Sequence, residues 1–442
     1  MRASPPVPPA GADPTRRRLL RAVAGLPLLA TGGLAGCSPD EQTRADDGPI
    51  ELSVFWWGGE ARAKATEKAL RLYSQQHPRV RFRVTWQGLP GYYDRLAIQA
   101  TGGNVPDLFQ IDDTVLTEYA QREIVLDLTR YVADHRLDLR GLPENLARYG
   151  QVDDRTMAVP AAQTNAALVY NRDLLRRLAV PEPHQGMPWK DYVRWAARVT
   201  RASGSRVAGT MDPSGDYRAL WLWLRGQGGE LYQGRQLGFT SAELLDWFEF
   251  WEVARYDRAT PSAALVELAD TGEAANQLVV TGHAAASFAW SHQLPELQRL
   301  THDELGMVAL PGSPAAQWPR ASMYWAGFRG TREPGVVVDV INFLTNDVAA
   351  GRILGTERGL NPSVSVRRSV TDGTTDRTEK RLVALGTDLA DLMGPAPAPP
   401  PRGHARVRAL LIAAAESIRG KRSGARAATS KFMAQANAAL AG

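Results

Sequence analysis

The residues of this chain that could do chemistry are mostly aromatic rings and hydrogen-bonding side chains placed where strands end. Trp56 and Trp57 stand side by side at the end of an apolar run and are followed by Gly58 and Gly59. Neighbours on a strand face opposite sides, so one of the two can pack inward while the other meets a ligand beside glycines that let backbone approach it closely. Asp112 and Asp113 follow a later apolar run. As sequence neighbours they cannot form the facing carboxylate pair, about 5 to 9 Å apart, that glycoside hydrolysis needs. One can accept hydrogen bonds from a ligand while the other caps the next helix, or both can simply cap and face solvent. Gln163-Thr164-Asn165 is a compact group of donors and acceptors. Of the twelve tryptophans, Trp247 and Trp251 lie four apart at helical spacing and Trp189 opens another helix, so these three read as packing. The seven histidines show no metal spacing. No GxSxG, P-loop or dinucleotide fingerprint occurs, and Gly226-Gln227-Gly228-Gly229 is too loose to count as one. Neither a catalytic residue nor a metal or cofactor is expected.

The only cysteine, Cys37, has no disulfide partner within the chain and cannot alone build a zinc or CxxC site. It ends Leu34-Ala35-Gly36-Cys37, which resembles a bacterial lipobox, in which the cysteine is acylated and becomes the mature N-terminus. Upstream, Thr15-Arg16-Arg17-Arg18-Leu19-Leu20-Arg21 resembles the twin-arginine export pattern. The apolar run from Ala22 to Ala35 is shorter than the ~20 residues needed to span a bilayer and is broken by Pro27, Gly32 and Gly33. Residues 1–36 therefore read as a lipoprotein signal peptide and 37–48 as a polar tether, with lipid on Cys37 holding the rest at the outer face of the cell membrane. The label also carries most of the charge. Its five arginines and one aspartate account for four of the five net positive charges, leaving one for the remainder. That argues against nucleic acid as a partner.

The remaining ~400 residues exceed the ~250 to 300 at which one core stops growing, so at least two lobes are expected. Leu52 to Trp56 reads as a strand, Ala61 to Gln76 as a helix stopped by His77-Pro78, and Val80, Phe82, Val84 and Trp86 alternate with polar residues as a half-buried strand. A helix from about Tyr92 to Thr101 and a strand from Leu108 to Ile111 follow. This β-α-β-α-β order predicts an α/β fold with a largely parallel sheet. Further strands are expected at Leu168–Tyr170, Gly282–Trp290 and Gly306–Leu310. Helices are expected at Asp173–Leu178, Trp189–Thr200, Ser241–Tyr256, Gly335–Thr345, Ala405–Ile418 and from about Ala425, with Pro395 to Arg402 as an extended connection.

Several segments, in order, resemble family 1 of the extracellular solute-binding proteins, the maltose-binding-protein type of ABC-importer receptor. They are Asn104-Val105-Pro106-Asp107-Leu108-Phe109, the Tyr119 to Leu128 stretch, Val159-Pro160-Ala161 with Leu168-Val169-Tyr170-Asn171-Arg172-Asp173, Pro188-Trp189-Lys190-Asp191-Tyr192, Thr281-Gly282-His283 with Ala289-Trp290-Ser291, and Met307 to Gly312. His283 and the alanines after it depart from the small residue and methionine usual there.

The resemblance implies a two-lobed periplasmic-binding-protein type II fold with a hinged ligand cleft. One lobe would hold residues 49–162 and 318–356, the other 163–317 and 357–442. It implies that Gln163, Thr164 and Asn165 line the cleft at a crossover, where a polar hinge without ligand contact is the alternative, that Asp216, Tyr217 and Trp221 place an acid and aromatics against a sugar, and that Phe288 and Trp290 face the same cleft, with plain core as the alternative for these two. Trp325, Asn361 and Arg402 stand near the remaining crossovers. Sugars present hydroxyl edges and weakly apolar ring faces, which suits aromatic platforms combined with planar polar groups. The partners that the resemblance implies are a small solute, a carbohydrate first of all, and ABC-importer permease subunits, with the protein acting as a monomer. A lipid-anchored carbohydrate-active enzyme and a ligand-presenting sensor remain open as alternatives.

Overall fold

The Ile50–Trp57 strand shows how the first part of the fold forms. Leu52, Val54 and Trp56 point to one side, into a core shared with Ala69, Val337 and Ile341, while Phe55 and Trp57 point to the other, against Tyr92. Burying a side chain of this size stabilises by about 1.5–3 kcal/mol, so both faces of the strand hold it in register. The computed structural model describes residues 48–270, 272–372 and 374–442. The twin-arginine motif, the apolar run, Cys37 and the tether up to Asp47 lie outside the described residues. Among the described residues no helix is long and apolar enough to cross a membrane.

Two sheets organise the chain. The first has the order Val80–Gln87, Ile50–Trp57, Leu108–Ile111, Arg320–Gly327, Val159–Thr164. Its first three strands are parallel, as the β-α-β-α-β reading requires, but Arg320–Gly327 runs antiparallel to both its neighbours. The second sheet is Ala286–Trp290, Ala166–Asn171, Leu305–Ala309, and both pairings are antiparallel. The expectation of a largely parallel sheet therefore holds only for the first three strands. The Gly282–Trp290 strand begins later than expected, at Ala286, because Gly282 takes φ 75° to end the short Leu278–Thr281 helix.

The chain passes from one sheet to the other at Asn165, the single residue between Val159–Thr164 and Ala166–Asn171. It returns through Leu310 to Pro319 into the Arg320–Gly327 strand. A third crossing follows the Pro334–Asn346 and Val348–Leu354 helices, which pack on the first sheet, and leads to Arg377–Ala390, whose Leu385 and Leu389 pack on Ala309 of the second. The first and third crossings are tied together by Gln163 N donating to the Leu360 carbonyl at 2.7 Å and Leu360 N to the Gln163 carbonyl at 3.0 Å. Gly359 makes this close approach possible. It sits at φ 118°, and a Cβ there would lie 2.4 Å from the Gln163 carbonyl oxygen.

Candidate ligand-binding cleft

Beside the second sheet, on the side from which Leu89 approaches, lies a cavity of about 200 Å³. Local structure explains its walls. Asp216 caps the Tyr217–Arg225 helix by accepting from the Arg218 N–H at 2.9 Å, which places Tyr217 and Arg218 in the first turn, at the cavity. The Ala286–Trp290 strand brings Phe288 and Trp290 to the same wall, two residues apart on one face. Gln293 follows in the turn after that strand and holds the Trp290 N–H through its side-chain oxygen at 2.8 Å. The His404–Arg419 helix contributes Arg408 and, one turn on, Ile412, while Asp270 and Gln277 close the far side. Leu89 reaches in from the first-sheet side.

Three hydrogen bonds link segments far apart in the chain, and of their residues Arg408 lines the cavity. Arg408 Nη1 donates to Thr114 Oγ1, Thr117 Oγ1 donates to the Pro400 carbonyl at 2.6 Å, and Arg62 Nη2 to the Glu357 carbonyl at 2.8 Å. Glu357 in turn pairs with Arg299 at 2.9 Å.

Deeper in, Arg320 and Asp113 form a hydrogen-bonded ion pair whose side chains are only 6 % and 2 % exposed. The Arg320 guanidinium lies 4.2 Å from the centre of the Trp290 ring, and its Nη1 donates to the Tyr217 hydroxyl at 3.3 Å. Arg218 also lies over Trp290, at 4.9 Å, while Asp216 accepts from its Nε with both oxygens. Behind Trp290, between Trp221, Trp318 and Arg320, is a second void of about 10 Å³, roughly the room of one water molecule.

Burial pushes the Asp270 carboxyl up to about 6, reinforced by Asp216, Asp212 and Glu416 and opposed by Arg419, which pairs with it at 3.2 Å. The ordinary carboxyl value is about 3.9, so between about pH 4 and 6 the folded protein keeps a proton that the unfolded chain releases. This group's contribution to stability therefore falls as pH rises through that window, by about 2–3 kcal/mol in total. Asp270→Asn is expected to match the parent protein in urea unfolding at pH 4 and to exceed it by that amount at pH 7.5. An equal difference at both pH values would contradict the assignment.

The arrangement can hold a small polar guest against aromatic faces. The sequence profile of the bacterial extracellular solute-binding proteins matches residues 68–366, more than half of the chain. The chain belongs to that family. An extracellular solute-binding protein is an exported one, and its family is one of binding proteins. Solved structures agree on the two-lobed α/β fold with a hinged cleft. A periplasmic oligogalacturonide-binding protein from Yersinia enterocolitica, in complex with saturated digalacturonic acid, is similar at 17 % identity with a TM-score of 0.75, covering 89 % of this chain and 99 % of its own. An ABC substrate-binding protein from Listeria monocytogenes, in complex with cycloalternan, gives the same four figures. The sugar-binding protein MalE from Xanthomonas citri is 16 % identical with a TM-score of 0.69, covering 89 % and 98 %.

Within this solute-binding protein the residues singled out from sequence fall into three groups. Asp216, Tyr217, Phe288 and Trp290 come together at the cavity and Trp221 at the smaller void, although Phe288 is 2 % exposed and spends most of its ring on Trp189, Tyr192 and Trp251. Asp113 pairs with Arg320 and Asp112 accepts from the Thr114 N–H at 2.9 Å; neither lines the cavity, and the Leu116–Gln121 helix that follows starts without a side-chain cap.

The others lie elsewhere. Trp56 and Trp325 are fully buried beneath the first sheet, the latter under the Arg358 guanidinium, because strand parity turns both rings away from the cleft. Trp57 packs on Tyr92 and Tyr93, and Gly58 leaves room for the Arg62 side chain rather than for a ligand. Gln163, Thr164 and Asn165 are consumed at the crossing. The Gln163 side chain accepts from Arg367 at 2.9 Å, Thr164 Oγ1 and Ser291 Oγ are 3.0 Å apart, and Asn165 N donates to Ser291 Oγ at 3.0 Å. Asn361 is likewise used within the third crossing, where its side-chain oxygen accepts from the Ser363 N–H at 2.9 Å. Arg402 is exposed at the turn before the His404–Arg419 helix.

Sequence reasoning missed Arg218, Arg320, Arg408, Asp270, Gln277 and Gln293. One signal was available for Arg408. His404, Arg408, Ala415 and Arg419 recur at three- or four-residue multiples among the apolar positions of one helix, and a charged side chain on such a stripe needs a polar destination.

Proposed function

We propose that this solute-binding protein captures a carbohydrate in the cavity beside Trp290 and delivers it to an ABC importer, as a monomer anchored outside the membrane by lipid on Cys37. The observation that carries the reading is the lining itself. Tyr217 and Trp290 offer ring faces, and Gln277, Gln293, Asp216, Arg218 and Asp270 offer hydrogen-bonding groups, which is the mixture a polyhydroxylated ring requires. The neighbours described with digalacturonic acid and with cycloalternan support a sugar, and the description of one as an ABC substrate-binding protein supports the importer. The proposed lobes are residues 49–162 with 318–356 and 163–317 with 357–442, hinged where Gln163 meets Leu360.

Asp216 and Asp270 line one cavity, and Asp270 titrates near 6, a feature that glycoside-cleaving enzymes also use. Here both Asp216 oxygens are held by Arg218 and Asp270 by Arg419, which favours binding over turnover. A thermal-shift screen of the purified protein against neutral and acidic sugars, amino acids and peptides tests the proposal. A sugar at 100 times its Kd is expected to stabilise by roughly 2.7 kcal/mol, with no new reducing ends appearing. Stabilisation by peptides or amino acids alone, or release of reducing ends, would overturn it. Separately, Cys37→Ser is expected to move the protein from the membrane to the soluble fraction; retention on the membrane would refute the anchor.

A further inference from the structure

The charged groups around the cavity are paired unequally. On the second-sheet side Arg218 is held by Asp216 and Arg419 by Asp270, both within ion-pair distance. Arg408 lines the same cavity, and among the described residues no carboxylate lies within ion-pair distance of it. Its contacts are the Tyr217 ring, 4.5 Å from the guanidinium carbon, and the Thr114 hydroxyl across the cleft. Asp112 and Asp113 exert a longer-range pull on it, but Asp112 is occupied by the Thr114 N–H and Asp113 by Arg320. Both carboxylates also stand on the opposite side of the cleft. With Arg218 matched by Asp216, and Asp270 matched by the buried Arg419 behind the wall, Arg408 is the lining guanidinium left without a carboxylate of its own on the second-lobe side. The elevated Asp270 carboxyl shifts the balance of charge further toward positive as pH falls toward 6.

We propose that the solute is a sugar bearing one anionic group, a carboxylate or a phosphate, and that Arg408 receives it. This rests on the carbohydrate reading and adds a charge requirement to it. A guanidinium offers a planar fork of N–H donors that a carboxylate or phosphate can meet with two oxygens, and hydrogen bonds to charged partners are roughly twice as strong as neutral ones. The Tyr217 ring beneath Arg408 keeps that fork oriented, and the cavity's limited size admits one ring with its charged substituent better than an extended chain.

The test is calorimetric titration of the purified protein with matched pairs, each hexose against its hexuronate, and with the hexose 6-phosphate as a third arm. An acidic member is expected to bind about 10- to 100-fold more tightly than its neutral partner. Uronate preference identifies the group as a carboxylate and 6-phosphate preference as a phosphate; either supports the inference. Arg408→Gln is expected to bring the acidic sugar to within about 3-fold of the neutral one, while Arg408→Lys, which keeps the charge, retains part of the preference. A neutral hexose that binds as well as or better than its charged counterparts overturns this inference and leaves the carbohydrate reading standing. An acidic preference undiminished in Arg408→Gln also overturns it. Failure of every sugar, with binding of some other class of solute, removes the carbohydrate reading itself.

Discussion

Truncating Asp113 to alanine is expected to lower folding stability by about 3–5 kcal/mol, because it strands the buried Arg320 charge without its carboxylate. The Arg320 side chain is 6 % exposed and keeps its charge through Asp113, the Tyr217 hydroxyl and the face of Trp290. Total stabilities of folded domains are about 5–15 kcal/mol, so the loss would be a large fraction of the whole. The same truncation frees Arg320 to move off Trp290, which ties the stability defect to the binding wall. Urea unfolding measures the cost, and a double variant in which Asp113→Leu accompanies Arg320→Met is expected to recover most of it, since an apolar replacement of both partners leaves no buried charge behind. A cost below about 1 kcal/mol for the single variant, typical of exposed pairs, would show that the pair is solvated.

Trp290→Ala is expected to weaken sugar binding by about 30- to 1000-fold, the range for an aromatic anchor at the centre of a recognition site. Its ring borders both the larger cavity and the void behind it, and it is the surface on which Arg218 and Arg320 lie. Removing it joins the two spaces and takes away the ring face on which both guanidiniums lie. Titration calorimetry reads the change, with Trp247→Ala as the contrast. Trp247 is fully buried among Trp189, Trp223 and Trp251 and does not line the cavity, so its loss should appear in the melting temperature. Unaltered affinity in Trp290→Ala would remove that residue from the site.

The fold was legible where burial is one-sided. Val80, Phe82 and Val84 alternate with polar residues because one face of that edge strand meets core and the other solvent, and the helices flanking it carry apolar stripes. Arg320–Gly327 escaped notice because it is a central strand: nearly every residue in RASMYWAG is buried, so no alternation survives, and its leading arginine is neutralised only by a residue some two hundred positions away. The antiparallel second sheet was hidden for a related reason, since Ala166–Asn171 is buried on both faces. At the site, Tyr217 and Trp290 could be found because an acid cap and a strand end place them. Trp56 and Trp325 could not be separated from them by residue type, since both are aromatics near strand ends and only the direction of the side chain distinguishes platform from core. Whether an arginine is neutralised is a tertiary property, which is why the charged half of the cavity emerged only with the structure.

Hydrogen–deuterium exchange of the protein with and without its best sugar tests the central claim most directly, that a guest is enclosed in the cavity beside Trp290. Protection is expected in residues 87–90, 211–218, 288–293 and 408–412, which come from both sides of the cleft. Protection confined to a different surface, or to one side only, would contradict it.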